Sequence, residues 1–371
     1  MGSDGPEAAL PDSVLDQVGP LIETLLAEGW RVIAPVERGG GIHYAEIGGP
    51  ADLPRGRTDS QEAGRYRLED GDPERWFDYV VGPQSWKAWL FPARRRLWSA
   101  ARTADGFSLQ QEDAAWPRTA FVGVRACEIA AMGVQDRVFD NGQFTDPDYT
   151  RRRAETLIVA VQCARSAGTC FCASMNTGPR ATSGFDLALT ELDGRFVLEI
   201  GSDRGAAIAA RLPTRPATEP DRVAARAASA RAAAMQTRRM PPGIAPALRN
   251  SPEHPHWDEV ASRCLSCGNC TLACPTCFCS DVEDVTDLAG EHAERWRSWD
   301  SCFSVEFSHM HGGATRRSTT SRYRQWMTHK LSSWVDQFGS SGCVGCGRCI
   351  AWCPVGIDIT REALVFAKEE G

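Results

Sequence analysis

Between about Pro20 and Gly201, short apolar runs alternate with helical patterns. The runs are Arg31-Val32-Ile33-Ala34, Gly41 to Ile47, Phe121 to Val124 and Leu157 to Val161. Strands interleaved with helices predict an α/β domain over residues 1–201, with some parallel pairing. Leu187 to Leu192, then Asp193-Gly194, then Arg195 to Ile200 predicts a hairpin, because Asp-Gly tolerates the positive φ angles of a tight turn.

The pattern changes over residues 202–256, which are rich in Ala, Arg and Pro. Asp221 to Arg239 reads as a surface helix of high propensity, stopped by Pro241-Pro242, and the segment as a helical linker. Its arginines read as a solvated face. The remaining zone, 257–371, holds 11 of the 15 cysteines. The chain is therefore expected to combine α/β and α+β parts.

Composition narrows the function classes. With 42% apolar and 24% charged residues, the chain is neither disordered nor fibrous. Its 371 residues suffice for a large core, so disulfides are not needed to compensate for a small one, and dense cysteine points to ligation or redox chemistry. Met1 to Glu7 has no basic segment leading into an apolar one, so a cytosolic, reducing location is expected. The longest apolar stretch, 157–163, is far below the roughly 18 residues of a membrane span. A net charge of −7 gives no support to nucleic-acid binding.

Cys264, Cys267, Cys270 and Cys274 stand at C-x2-C-x2-C-x3-C before Pro275, and Cys343, Cys346, Cys349 and Cys353 repeat that spacing before Pro354. This is the bacterial two-cluster ferredoxin run, in which the fourth cysteine of each motif serves the other cluster. It predicts one [4Fe-4S] cluster on Cys264, Cys267, Cys270 and Cys353, and another on Cys343, Cys346, Cys349 and Cys274. Two zinc ribbons fit poorly, since they use pairs of C-x2-C separated by a longer spacer. The glycines between the ligands, Gly268, Gly345 and Gly347, permit close backbone approach.

The 68 residues between Cys274 and Cys343 form an insertion, 275–342, expected to be helical. It holds Cys277, Cys279 and Cys302, which no motif assigns. Ser308 to Val335 has no acidic residue but carries Arg316, Arg317, Arg322, Arg324 and Lys330. These cations either neutralise cluster thiolates and meet solvent, or dock an acidic partner.

Four more cysteines lie in the α/β domain. Cys127 follows the strand ending at Val124 and opens a helical pattern; Cys163 ends the strand starting at Leu157; Cys170 and Cys172 come just after. The C-terminal ends of neighbouring strands share a crevice, so Cys127, Cys163, Cys170 and Cys172 form a candidate third cluster site. Thr-Cys-Phe-Cys occurs at both 169–172 and 276–279, which raises a rival set of Cys170, Cys172, Cys277 and Cys279. No nucleotide loop, zinc-protease or serine-hydrolase motif competes.

The strings Arg263 to Cys270, Cys274 to Cys279, Trp299 to Cys302 and Gly342 to Cys349, with Val124 to Cys127 and Cys170 to Met175, resemble the iron-sulfur beta subunit of cytosolic [NiFe] hydrogenases and sulfhydrogenases, and the related A subunit of anaerobic sulfite reductase. The likeness runs from about Trp76 onward. It implies a non-catalytic electron carrier between a flavoprotein diaphorase subunit, which exchanges electrons with NAD(P)H, and a hydrogenase or sulfur/sulfite reductase module. Two other roles are weighed against it: direct reduction of sulfur compounds by this subunit, and a cluster-based redox sensor.

Overall fold

A computed structural model describes residues 13–111 and 116–368. Met1 to Glu7, read above for targeting, lies outside the described residues. The strands in chain order are β1 (Ser13–Leu15), β2 (Arg31–Arg38), β3 (Gly41–Glu46), β4 (Arg57–Glu62), β5 (Arg65–Asp70), β6 (Arg94–Thr103), β7 (Gly106–Gln111), β8 (Thr119–Val124), β9 (Thr156–Val161), β10 (Leu187–Leu192), β11 (Arg195–Ile200), β12 (Thr214–Pro216), β13 (Ser280–Thr286) and β14 (His292–Trp299).

An eight-stranded sheet runs β12-β1-β11-β10-β9-β8-β2-β3. Its centre, β10-β9-β8-β2, is parallel, and the flanking pairs are antiparallel. Every residue of β8 and β9 is buried, because helices cover both faces and leave no polar side to alternate with. Helix Gly19–Ala27 buries Leu21, Ile22 and Leu25 on one face, and helix Ala126–Phe139 packs Ile129 and Met132 on the other. The β10–β11 hairpin turns at Asp193-Gly194 as its sequence implies, with Gly194 at φ 69°.

The 202–256 segment does not stand apart as a surface linker. It supplies edge strand β12 and a helix, Glu219–Ala234, that buries Ala225, Ala228 and Ala232. Small alanines every three or four residues let that helix lie close to the sheet while Arg222 and Arg226 pair outward with Glu219.

The insertion is not wholly helical either. β13 and β14 form a hairpin that joins β6 and β7 in a four-stranded antiparallel sheet, β13-β14-β6-β7. Arginines lie over tryptophans on this sheet, Arg295 over Trp98 and Arg94 over Trp296. Helices appear only later, at Thr319–Thr328 and Trp334–Phe338, joined by a π-helical turn at His329–Ser333. No helix among the described residues is long and apolar enough to cross a membrane.

The cysteine-rich part and the α/β part meet through backbone. The amide of Phe171 donates to the carbonyl of Gly345 at 2.9 Å, and the hydroxyl of Thr177 to that of Val344 at 2.7 Å. A Cβ on Gly345 would lie 2.7 Å from Cys172 N and Cα, and its φ of 64° is one that side chains disfavour. Gly345→Ala is expected to cost about 1–3 kcal/mol through overpacking, read as a lower denaturation midpoint; an unchanged midpoint would show that this contact yields freely. Arg348 adds a buried ion pair with Glu128 at 2.6 Å.

Candidate metal centres

The two motifs fold alike. The first follows helix His256–Arg263, takes positive φ at Ser266 and Gly268, and enters a short helix, Asn269–Leu272. The second takes positive φ at the matching Gly345 and Gly347 and enters Arg348–Ala351. This backbone turns amides toward sulfur: Ser266 N donates to Cys264 Sγ at 3.4 Å and Gly345 N to Cys343 Sγ at 3.5 Å. Ile357 N likewise reaches Cys353 Sγ at 3.3 Å. Amide donors of this kind stabilise thiolate charge.

Cys264, Cys267, Cys270 and Cys353 line one pocket together with Cys349, and Phe303, Tyr323, Trp326 and Ile357 are its apolar walls. Burial pushes the Cys270 thiol well up, and Cys264, Cys353 and Cys267 push in the same direction. Burial likewise raises Cys349, and Cys343, Cys346, Cys274 and, last, Cys270 push in the same direction. Cys343 is pushed up to about 12, chiefly by burial, while Lys330 opposes the shift. Thiols so placed repel one another as thiolates, and a positively charged iron-sulfur core relieves that repulsion. The donor set and the apolar cradle fit such a group. Among the described residues, no three His, Cys, Asp or Glu side chains sit close enough to hold a single metal ion.

The four cysteines of the α/β domain gather at the C-terminal ends of β8 and β9, with Cys127 in the first turn of its helix. All four are buried. Arg125 Nη1 reaches Cys163 Sγ at 3.9 Å and Gln236 Nε2 donates to Cys172 Sγ at 3.2 Å. Cys172 is pushed up to about 12, first by burial and then by Cys163. Cys127 is raised by burial, then by Cys172 and by Cys346 of the second motif.

The three cysteines of the insertion have other thiol partners than Cys170 and Cys172, although Phe278 of the second Thr-Cys-Phe-Cys segment packs against the cluster that holds those two. The thiol of Cys277 hydrogen-bonds Cys274 and, with the ammonium of Lys330, holds that thiol well below its ordinary range. Cys302 hydrogen-bonds Cys279 at the base of the β13–β14 hairpin and brings it down to about 7. Lys87, only 4% exposed, donates to the carbonyl of Cys277 at 3.1 Å and sits 3.8 Å over the Trp299 ring. Of the five cations in the acid-free stretch, Lys330 is the one that reaches a thiol. Arg322 is buried against the carbonyls of Arg316 and Arg317, and Arg324 pairs with Glu253. Lys87, Arg125, Gln236 and Glu128 carry no local sequence signal; only the position of Arg125, two residues before Cys127, hints at its place.

Paired thiol loops packed on an α/β domain define an iron-sulfur protein of the two-cluster kind, and residues 263–357 match the 4Fe-4S dicluster domain. The protein accordingly carries two [4Fe-4S] clusters. The chain belongs to the beta-subunit family of the sulfhydrogenases: it is 34% identical over 253 residues to "Sulfhydrogenase 2 subunit beta" of Pyrococcus furiosus, an alignment covering 66% of this chain and 74% of that protein. No solved structure matches it.

Proposed function

We propose that the chain is the iron-sulfur electron-transfer subunit of a cytosolic sulfhydrogenase-like complex, relaying electrons between a flavoprotein subunit and a hydrogenase or sulfur-reducing module. The observation that carries the reading is the crossed arrangement of thiols: Cys353 closes the pocket of the first motif, and Cys274 acts on Cys343 and Cys349 of the second. One cluster is assigned to Cys264, Cys267, Cys270 and Cys353, the other to Cys343, Cys346, Cys349 and Cys274. When bound, such clusters supply one-electron transfer without bond chemistry.

The chain's own groups hold these centres in place. Phe303, Tyr323 and Trp326 wall the first on its inner side, while the Gly345 contact and Arg348 hold the second against the α/β domain. A third cluster is assigned to Cys127, Cys163, Cys170 and Cys172, beside Cys346 of the second set. The word "subunit" in the name of the Pyrococcus furiosus relative supports the expectation of partner chains. Iron and sulfide analysis with EPR on anaerobically purified protein tests the reading. The expected content is about twelve irons per chain, falling by about four in Cys163→Ala. Fewer than about seven in the unmutated protein would sink the two-cluster assignment, and about eight, unchanged by Cys163→Ala, the third cluster.

A further inference from the structure

We propose that Lys330 sets the reduction potential of the centre assigned to Cys274, Cys343, Cys346 and Cys349, holding it above the value its buried site would otherwise give; this rests on the cluster assignment above. Lys330 is 7% exposed. Its ammonium spends its three protons on Cys274 Sγ at 3.3 Å, Thr276 Oγ1 at 3.0 Å and the Gly342 carbonyl at 3.2 Å. None of these partners is a carboxylate, so the anions this buried cation faces are thiolates, Cys274 at contact distance with Cys277 and Cys343 behind it. A buried charge without an anionic partner is strongly unfavourable, which makes the thiolates and the ammonium mutually dependent.

The backbone at this point is itself unusual. Lys330 lies in the π-helical turn His329–Ser333, between two α-helical stretches. Such wide turns are rare and recur at functional positions. Here the turn directs a lysine inward from a stretch whose other cations meet carbonyls, carboxylates or solvent.

The second centre is also the more enclosed. Cys274, Cys343 and Cys346 are buried, whereas Cys267 of the first centre is exposed. A one-electron reduction places an additional negative charge among the thiolates, and burial disfavours that charge. Lys330 opposes the penalty at contact distance. Arg348 also faces Cys346, but Glu128 at 2.6 Å already balances its charge, and the buried Lys87, which faces Cys277 ahead of Cys274, donates to the Cys277 carbonyl rather than to a sulfur. At the first centre, backbone amides are the donors to sulfur, and the nearby Arg322 reaches Ser266 Oγ rather than a thiol. Net charge, hydrogen bonds to sulfur and exposure together set cluster potentials, and Lys330 supplies the first two of these at one centre alone.

The experiment is an EPR-monitored redox titration, with dithionite as electron donor, of the full-length protein in its complex, comparing wild type, Lys330→Gln and Lys330→Arg. Lys330→Gln is expected to move one midpoint to lower potential and leave the others in place, while Lys330→Arg keeps the wild-type value. Unmoved midpoints in Lys330→Gln, or an equal fall in Lys330→Arg, would overturn the inference. Lys330→Met, which preserves the stem, gives the same comparison if the glutamine variant does not accumulate. Iron content keeps the two levels apart: about eight or more irons with an unmoved midpoint defeats the role of Lys330 alone, whereas fewer than about seven defeats the assignment beneath it.

Discussion

Glu128→Ala is expected to lower the free energy of unfolding by about 3–5 kcal/mol, a large share of the ~5–15 kcal/mol that keeps a domain folded. Arg348 and Glu128 are both enclosed, at 0% and 1% side-chain exposure, so solvent does not screen their 2.6 Å contact. Arg348 also donates to the carbonyls of Gly82 at 2.9 Å and Gln84 at 2.8 Å, and Tyr44 donates its hydroxyl to the other carboxylate oxygen of Glu128 at 2.7 Å. Removing the carboxylate strands a guanidinium between the two halves of the molecule and leaves the Tyr44 hydroxyl without its acceptor. Because removal of one partner is worse than removal of both, Glu128→Ala/Arg348→Met is expected to be less destabilised than Glu128→Ala. Denaturant unfolding followed by tryptophan fluorescence is a natural readout, since Trp86 stacks on Tyr44 with ring centroids 4.0 Å apart. A Glu128→Ala midpoint equal to wild type would show that the pair contributes nothing.

Cys353→Ala is expected to abolish the centre of the first motif, although residue 353 belongs to the second. The thiol of Cys353 lines the pocket with Cys264, Cys267 and Cys270, and its chain neighbour Cys349 faces Cys343 and Cys346. The variant should lose about four irons and share its remaining EPR signal with Cys264→Ala. Cys274→Ala should instead leave the signal seen in Cys343→Ala. If Cys353→Ala matched Cys343→Ala, the crossing would be refuted and each motif would serve itself. The loss should also loosen packing, because Cys264, Cys270, Cys349 and Cys353 lie against the core built around Trp257, Tyr323 and Phe366.

Where apolar residues dominate a segment, its structure was readable. β8, β9 and the β10–β11 hairpin are buried, and their Val, Ile and Leu runs announce them. The eight motif cysteines stand out equally plainly, because their C-x2-C-x2-C-x3-C spacing repeats to the residue. β13 was not readable: Ser-Asp-Val-Glu-Asp-Val-Thr is exposed along nearly its whole length. β7 is exposed at every residue. Edge strands exposed at nearly every position leave no alternation of apolar and polar residues, so the insertion reads as helix. The stretch without acidic residues correctly singled out Lys330 with its neighbours, but which of the five cations turns inward depends on the π-helical turn. Lys87 meets Cys277 across 190 positions of sequence, a pairing that no local pattern encodes.

The β6–β14 pairing joins residues roughly two hundred positions apart, Arg94 opposite Ser298 and Ala101 opposite His292. On a ribosome adding ~5–20 residues per second, the β6–β7 hairpin therefore emerges about 10–40 s before the strand that completes its sheet. Throughout that interval one edge of β6 is open to pairing with any other nascent chain. The run Arg94-Arg95-Arg96 at its start answers this hazard, because clustered charge on an open edge discourages wrong partners. The arginines that later pair with Glu294 and Asp148 thus have an earlier task, keeping the half-made protein single until its own C-terminal half arrives.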